Sequence, residues 1–243
     1  MSNFFHTVNT IDPGMGFDHF GITHILWLIF SVFFIFRLSV SYKKAGREKK
    51  EKIKHAVAIA LIFEEMAKTI LLLILGRYTA DHLPLHLCSI NIFIIAIHAY
   101  HPSKILGSFL YNICIPASIS ALLFPGWTSL PFLNFMHIHS FTTHILMSAY
   151  PIMLVSAKEI GPDISGAVSS LFFLLALAGI IYMVNIALGT NFMFLMYPGG
   201  DNPLSFFAQI FENHLAGFII LVPFVLVFMN FPLFILKNSK NGN

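Results

Sequence analysis

The feature that most constrains this chain is a succession of apolar blocks. Seven stretches follow one another at 20–42, 54–76, 84–100, 104–125, 135–157, 164–189 and 205–236. Each has roughly the length at which an α-helix crosses the hydrocarbon core of a bilayer, about twenty residues. Turn-forming groups separate them: Gly76-Arg77, His101-Pro102, Pro125-Gly126-Trp127, Gly161-Pro162-Asp163 and Pro198-Gly199-Gly200. Backbone polar groups inside lipid must be satisfied within their own segment, which helices do. The expected fold is therefore all-α, a polytopic transmembrane bundle of about seven helices. It divides into an N-terminal segment 1–19, a single transmembrane helical domain 20–236 and a short tail 237–243. Composition agrees, since 10% of the residues are charged and 57% hydrophobic, against roughly a quarter charged in a globular domain.

Orientation follows from the positive residues. Lys43, Lys44, Arg47, Lys49, Lys50, Lys52, Lys54, Lys104, Lys158, Lys237 and Lys240 fall on one face of a seven-span chain, and Arg77 alone falls on the other. Arg37 and Lys68 lie within spans, Arg37 near enough to its end to snorkel. This places the N-terminus outside and the C-terminus in the cytoplasm of a multi-pass cell-membrane protein. The segment before the first span holds Asp12 and Asp18 and no Lys or Arg, unlike a cleaved signal peptide, so the first span is expected to be a permanent helix. The basic loop 43–54 sets topology and also suits contact with anionic lipid. With a net charge of only +3 and one basic run, nucleic-acid binding is not expected. Cys88 and Cys114 lie in apolar stretches and offer no disulfide framework.

Ionisable groups within a membrane are costly, and their depth points to function. Nine of the twelve histidines fall toward the outside in this topology: His6, His19, His24, His82, His86, His137, His139, His144 and His214. Asp81, Asp201, Glu212 and Asn213 share that half. In span three, Pro84 suits the first helical position, which puts His86 and Cys88 in the first two turns. The helix dipole and a neighbouring imidazole activate such a thiol. His86 and Cys88 diverge by about 200° on one helix, so the base is expected from another span; otherwise Cys88 is a small packing residue. In span five His137 and His144 share a face, with His139 pointing about 140° away from His144. In span two Glu64 and Lys68 form an i,i+4 pair, leaving Glu65 free to face a polar cavity. After span six, Phe192-Met193-Phe194-Leu195 reads as a re-entrant or surface-lying segment.

These motifs resemble the YwaF-like family of bacterial integral membrane proteins. The resemblance is carried by Thr23-His24-Ile25, by Glu64 with a polar residue at Lys68, and by Leu83-Pro84-Leu85-His86-Leu87-Cys88-Ser89-Ile90. It continues through His139-Ser140-Phe141-Thr142-Thr143-His144 and Asn185-Ile186-Ala187-Leu188-Gly189-Thr190-Asn191-Phe192-Met193-Phe194-Leu195, the most specific of the set. More remotely the chain is similar to the animal polytopic acyltransferase that moves polyunsaturated acyl chains onto ether phospholipids through a cysteine thioester. That relative has Pro-Cys-His where this chain has Pro84-Leu85-His86, so its nucleophile aligns with Leu85 and Cys88 lies one turn further on.

Three functions follow as expectations. The first is lipid acyl transfer or hydrolysis, with membrane phospholipids as substrate and no soluble cofactor. Cys88 would attack an ester, His144 or His139 would act as base, and His86, Glu64 and Glu65 would orient or stabilise them. His24, Asn91, Asn185, Asn191 and His214 would bind substrate, Asn91 or Asn191 donating to the oxyanion. The second is a transporter or channel with an outer polar vestibule. The third is a zinc-dependent hydrolase with ligands among His86, His139, His144 and His214, although no span carries two histidines at i,i+4 beside an acid.

Overall fold

The computed structural model describes residues 3–199 and 203–241, with side chains described up to residue 233 apart from that of 203. Among the described residues every regular element is helical. They run α1 (Ile22–Lys44), α2 (Arg47–Ile74), a 3-10 turn (Ala80–His82), α3 (Leu87–Tyr100), α4 (Lys104–Phe109), a π turn (Leu110–Cys114), α5 (Ile115–Leu123), α6 (Phe135–Ser156), α7 (Ile164–Leu188), a second 3-10 turn (Phe192–Phe194), α8 (Pro203–Phe211) and α9 (Leu215–Asn241). We call the end at which α1, α3, α6 and α9 begin the upper end.

α1 is packed inside out relative to a water-soluble helix. It buries His24, Ser31, Ser39 and Tyr42 and exposes Leu26, Ile29, Phe30, Val32, Phe33 and Phe36. α7 largely repeats the pattern, burying Gly166, Ala167, Ser170 and Asn185 beside Leu174 and Ile181 while Phe172, Leu175, Ile180 and Met183 face out. Lipid is as apolar as leucine, so helices meet through small and polar residues and leave large apolar ones outside. Five stretches are long and apolar enough to cross a membrane: α1, Ala80–Tyr100, Lys104–Leu123, α7 and Leu215–Leu233. α2 and α6 are long enough as well, at 28 and 22 residues, but carry Glu64, Glu65 and Lys68 or three histidines. Those polar groups are sheltered, because α6 lies at the centre against α1, α2, α3 and α5.

The α4–α5 rod contains the π turn for a local reason. Pro116 has no N–H to give the Asn112 carbonyl, and the helix widens so that Ile115 N–H reaches the Leu110 carbonyl instead. The main core surrounds this turn, with Tyr42, Leu61, Ile95, Leu110, Met147 and Tyr150 fully buried.

Several boundaries differ from the sequence reading. The basic stretch 43–54 is not a loop: α1 continues to Lys44 and α2 starts at Arg47, with Ala45 and Gly46 as the caps between them. Its charges are spaced for helix, as Glu48–Lys52 (2.6 Å) and Glu51–Lys54 (2.8 Å) show. α3 begins at Leu87, not Pro84, because residues 83–86 form a tight turn in which Leu85 N–H donates to the Leu83 carbonyl (2.7 Å). The last span is broken at Glu212, whose φ of 53° ends α8. α9 then continues as helix to Asn241, through most of the stretch expected as a tail. Asp201 and the side chains of Lys237 and Lys240 lie outside the described residues.

Candidate functional site

The upper ends of α2, α3 and α6 gather most of the sequence-selected groups, and α3 supplies the first. His86 is its N-cap residue and Cys88 lies in its first turn, where backbone N–H groups have no helical acceptor. A buried plug sits against His86. α7 ends at Gly189, whose φ of 66° is the left-handed conformation glycine tolerates best. The chain then folds inward, pinned by the buried Asn185 side chain. Its Oδ1 accepts from Phe192 N–H (2.8 Å) and Thr190 Oγ1–H (2.9 Å), and its Nδ2 donates to the Phe192 carbonyl (3.0 Å). Met193 and Phe194 take φ of 58° and 55°, a strained conformation for such residues. Phe192 is fully buried, its ring 5.2 Å from that of His86, and Met193 N–H donates to His86 Nδ1 (3.3 Å). With Nδ1 accepting, the neutral ring carries its proton on Nε2. Of the segment read as re-entrant or surface-lying, Phe192 and Met193 form a buried plug, while Phe194 is 39% exposed. Asn191 shapes the following turn, accepting from Met196 and Tyr197 N–H and donating to the Tyr197 carbonyl.

α2 supplies a buried ion pair, though not the expected one. Lys68 Nζ lies 2.6 Å from Glu65 Oε1, at i,i+3. Glu64 instead accepts from Thr143 Oγ1–H of α6, which satisfies its carboxylate across the helix interface. Lys68 is within electrostatic reach of His82, His86, Cys88 and His139.

On α6 the three histidines have different fates. His137 does not line a cavity with His144: its Nε2 accepts from Trp27 Nε1–H (2.9 Å) and its Nδ1–H donates to the Leu130 carbonyl (3.1 Å). His144 donates from Nδ1 to the Ser140 carbonyl (2.7 Å) and stacks on Trp127 at 5.2 Å. His139 Nε2 is buried with no partner. Asn91, one turn beyond Cys88 on α3, is 1% exposed and both its amide atoms lack partners. Buried polar groups are ordinarily bonded, and each exception asks for an explanation. His24 is spent on the fold, accepting from Phe20 N–H (2.9 Å) and donating to the Leu122 carbonyl (2.7 Å). His214 immediately precedes α9, with a buried Nε2 that has no partner.

A family model described as the TMEM164 family matches residues 19–234, which include every group above. The chain belongs to the TMEM164 family. This is a membrane protein family, in agreement with the five apolar spans. No curated protein and no solved structure matches the chain.

In this TMEM164-family bundle a second polar cluster, missed in the sequence, occupies the lower end. Glu159 accepts from Tyr42 Oη–H (2.7 Å) and Lys50 Nζ (2.9 Å), and His98 Nδ1 shares a hydrogen bond with Tyr150 Oη (2.9 Å). Its members come from four separate stretches of chain, so no local motif announces it. Among the described residues no three His, Cys, Asp or Glu side chains group so as to hold a metal ion. The zinc reading therefore has no donor set there. What the upper cluster does offer is a thiol in the first turn of a helix, a buried cation, an imidazole nitrogen free to take a proton and an amide free to bind a polar group.

Proposed function

We propose that this TMEM164-family protein performs lipid acyl transfer or hydrolysis at the outer side of the cell membrane, with Cys88 as the nucleophile. One observation carries the reading. Cys88 on α3 and His139 on α6 both lie within electrostatic reach of Lys68, and His139 and Asn91, one turn beyond Cys88, have buried polar atoms without partners. The motif resemblance to the ether-phospholipid acyltransferase points to the same reaction, with Cys88 acting from one turn beyond Leu85, the position where that relative has its nucleophile. His139 Nε2 takes the thiol proton as sulfur attacks the ester carbonyl. The Asn91 amide and the N–H groups of the first turn of α3 stabilise the oxyanion. The ester C–O bond then breaks, and the leaving alkoxide receives the proton from His139. An acceptor alcohol, or water in hydrolysis, attacks the thioester in turn and regenerates the thiol. Lys68 favours the negative sulfur and oxygen, and the Met193 bond keeps the His86 Nε2 proton available as a donor. His144 is the second candidate base, with Glu64 and Glu65 acting through their partners Thr143 and Lys68.

In the proposed topology α2 and α6 also cross, giving seven spans with the N-terminus outside. The α1–α2 corner is then cytoplasmic. Lys50, Lys52 and Lys54 are paired with acids there, whereas Lys43, Lys44, Arg47 and Lys49 are exposed and suit anionic headgroups.

The lower cluster favours a second reading, transport, because it gives polar groups at both ends of α6. The deciding test is intact mass spectrometry of purified protein incubated with mixed phospholipids. A fatty-acyl adduct released by hydroxylamine, absent in Cys88→Ser and formed more slowly in His139→Ala, is the expected result. If neither an adduct nor a lysolipid forms, the cysteine reading fails, and proton-coupled uptake becomes the experiment to run.

A further inference from the structure

Residues 3–6 are tied to the bundle. Four consecutive carbonyls are gripped by the bundle. Asn134 Nδ2 donates to those of Asn3 (2.8 Å) and His6 (2.9 Å), Phe135 N–H to that of Phe4 (2.8 Å), and Arg77 Nη1 to that of Phe5. Asn134 and Phe135 open α6, and Arg77 closes the turn after α2. The strap thus spans from the top of one site-bearing helix to the top of another. It is stiffened by a turn in which Thr10 N–H donates to the Thr7 carbonyl (3.0 Å) and Thr7 N–H to Thr10 Oγ1 (2.8 Å). A second anchor follows, where Phe17 N–H donates to the Thr128 carbonyl (2.8 Å) and Gly16 lies so close to Thr128 that a Cβ there would collide. On their outer faces, by contrast, α2 and α3 present bare apolar residues, Ile70, Leu73 and Phe93.

We infer that the strap formed by residues 3–17 is a lid across the upper mouth between α2 and α6. It shuts the Cys88 site off from the aqueous phase and leaves access to molecules dissolved in the membrane. This holds whether the site transfers acyl groups or carries a solute. It also explains the choice of asparagine at 134. Its Oδ1 caps α6 by accepting from His137 N–H (3.0 Å), while its Nδ2 holds two strap carbonyls.

The test uses the full chain in phosphatidylcholine nanodiscs. Cys88 is labelled either with a sulfonated, charged maleimide or with uncharged N-ethylmaleimide, and the label is located by peptide mass spectrometry, buried Cys114 serving as the internal control. In the native protein the uncharged reagent should react much faster. Asn134→Asp keeps the α6 cap but removes both strap bonds, and Arg77→Ala removes a third. The charged reagent should then react faster by roughly fivefold per bond lost, the weight of one net hydrogen bond, with the uncharged rate little changed. Equal rates for the two reagents on native protein would overturn the lid. So would charged labelling that neither variant accelerates, including no labelling at all. Should Asn134→Asp fail to fold, as judged by size exclusion, Arg77→Ala decides alone.

Discussion

Glu65 and Lys68 hold each other at 2.6 Å on α2, with side chains 9% and 12% exposed. Lys68 lies six residues before the end of α2 at Ile74, about 9 Å below that end at 1.5 Å per residue. A pair this enclosed escapes most salt screening, unlike the exposed Glu48–Lys52 pair on the same helix. It also holds a positive charge within electrostatic reach of Cys88 and His139 without leaving that charge unbalanced.

Removing one partner is therefore expected to cost far more than removing both. Lys68→Met should lower stability by about 3–5 kcal/mol, and Glu65→Leu with Lys68→Met should recover most of it. Thermal unfolding of the detergent-solubilised variants measures this. Equal losses in the single and double variants would show that the two charges are not coupled.

α4 and α7 meet where a Cβ on Gly166 would overlap the Ser108 side chain. Gly166→Ala should destabilise by about 1–3 kcal/mol, the usual cost of overpacking. Adding Ser108→Gly should return much of that loss by vacating the space. A Gly166→Ala protein with unchanged melting temperature would mean that the two helices separate freely.

The helices facing lipid were legible in the sequence because length and apolar content decide a membrane span. α1 and α7 match their predicted ranges to within a few residues. Boundaries set by distant partners were not legible. The early start of α2 is favoured by Lys50 bonding to Glu159, and Lys68 pairs with Glu65 while Thr143 occupies Glu64 from another helix. Which residue types gather at the upper end was legible in the sequence, and the lower cluster of Tyr42, Lys50, His98, Tyr150 and Glu159 was not. The division of labour among the upper residues was not legible either, since a histidine that bonds Trp27 and one with a free nitrogen look identical as letters. Trp27 lies 110 positions from His137, and no spacing rule connects them.

Asp163 gives a pH signature outside the spans. Hydrogen bonding from Lys104 at 3.0 Å, above all, holds its carboxyl below the usual range. A depressed folded value means stabilisation that is complete above the unfolded value, about 3.9, and lost as pH falls through the folded one. Asp163→Asn keeps an N-cap for α7 but loses the charge pair. Its melting temperature should fall below that of the native protein at pH 6–7, and the gap should close below roughly pH 4. The pair is partly exposed, so salt should narrow the gap as well. A gap that widens in acid would contradict this assignment.

The plug under His86 depends on one side chain. Asn185 makes three hydrogen bonds to Thr190 and Phe192, and these hold a turn in which Met193 and Phe194 have positive φ. Strained backbone persists only while its surroundings over-determine it. Asn185→Ala should therefore release the turn, and amides of residues 190–195 should exchange with deuterium about a hundredfold faster, as loss of two or three net bonds implies. Asn185→Asp retains both acceptor bonds and should fall between. The middle of α7 should not change in either variant. Because Met193 N–H sets the tautomer of His86, the same release should free His86 Nδ1, which a ring-nitrogen NMR shift of labelled histidine would report. Unchanged exchange in Asn185→Ala would assign the plug's stability to the burial of Phe192 alone.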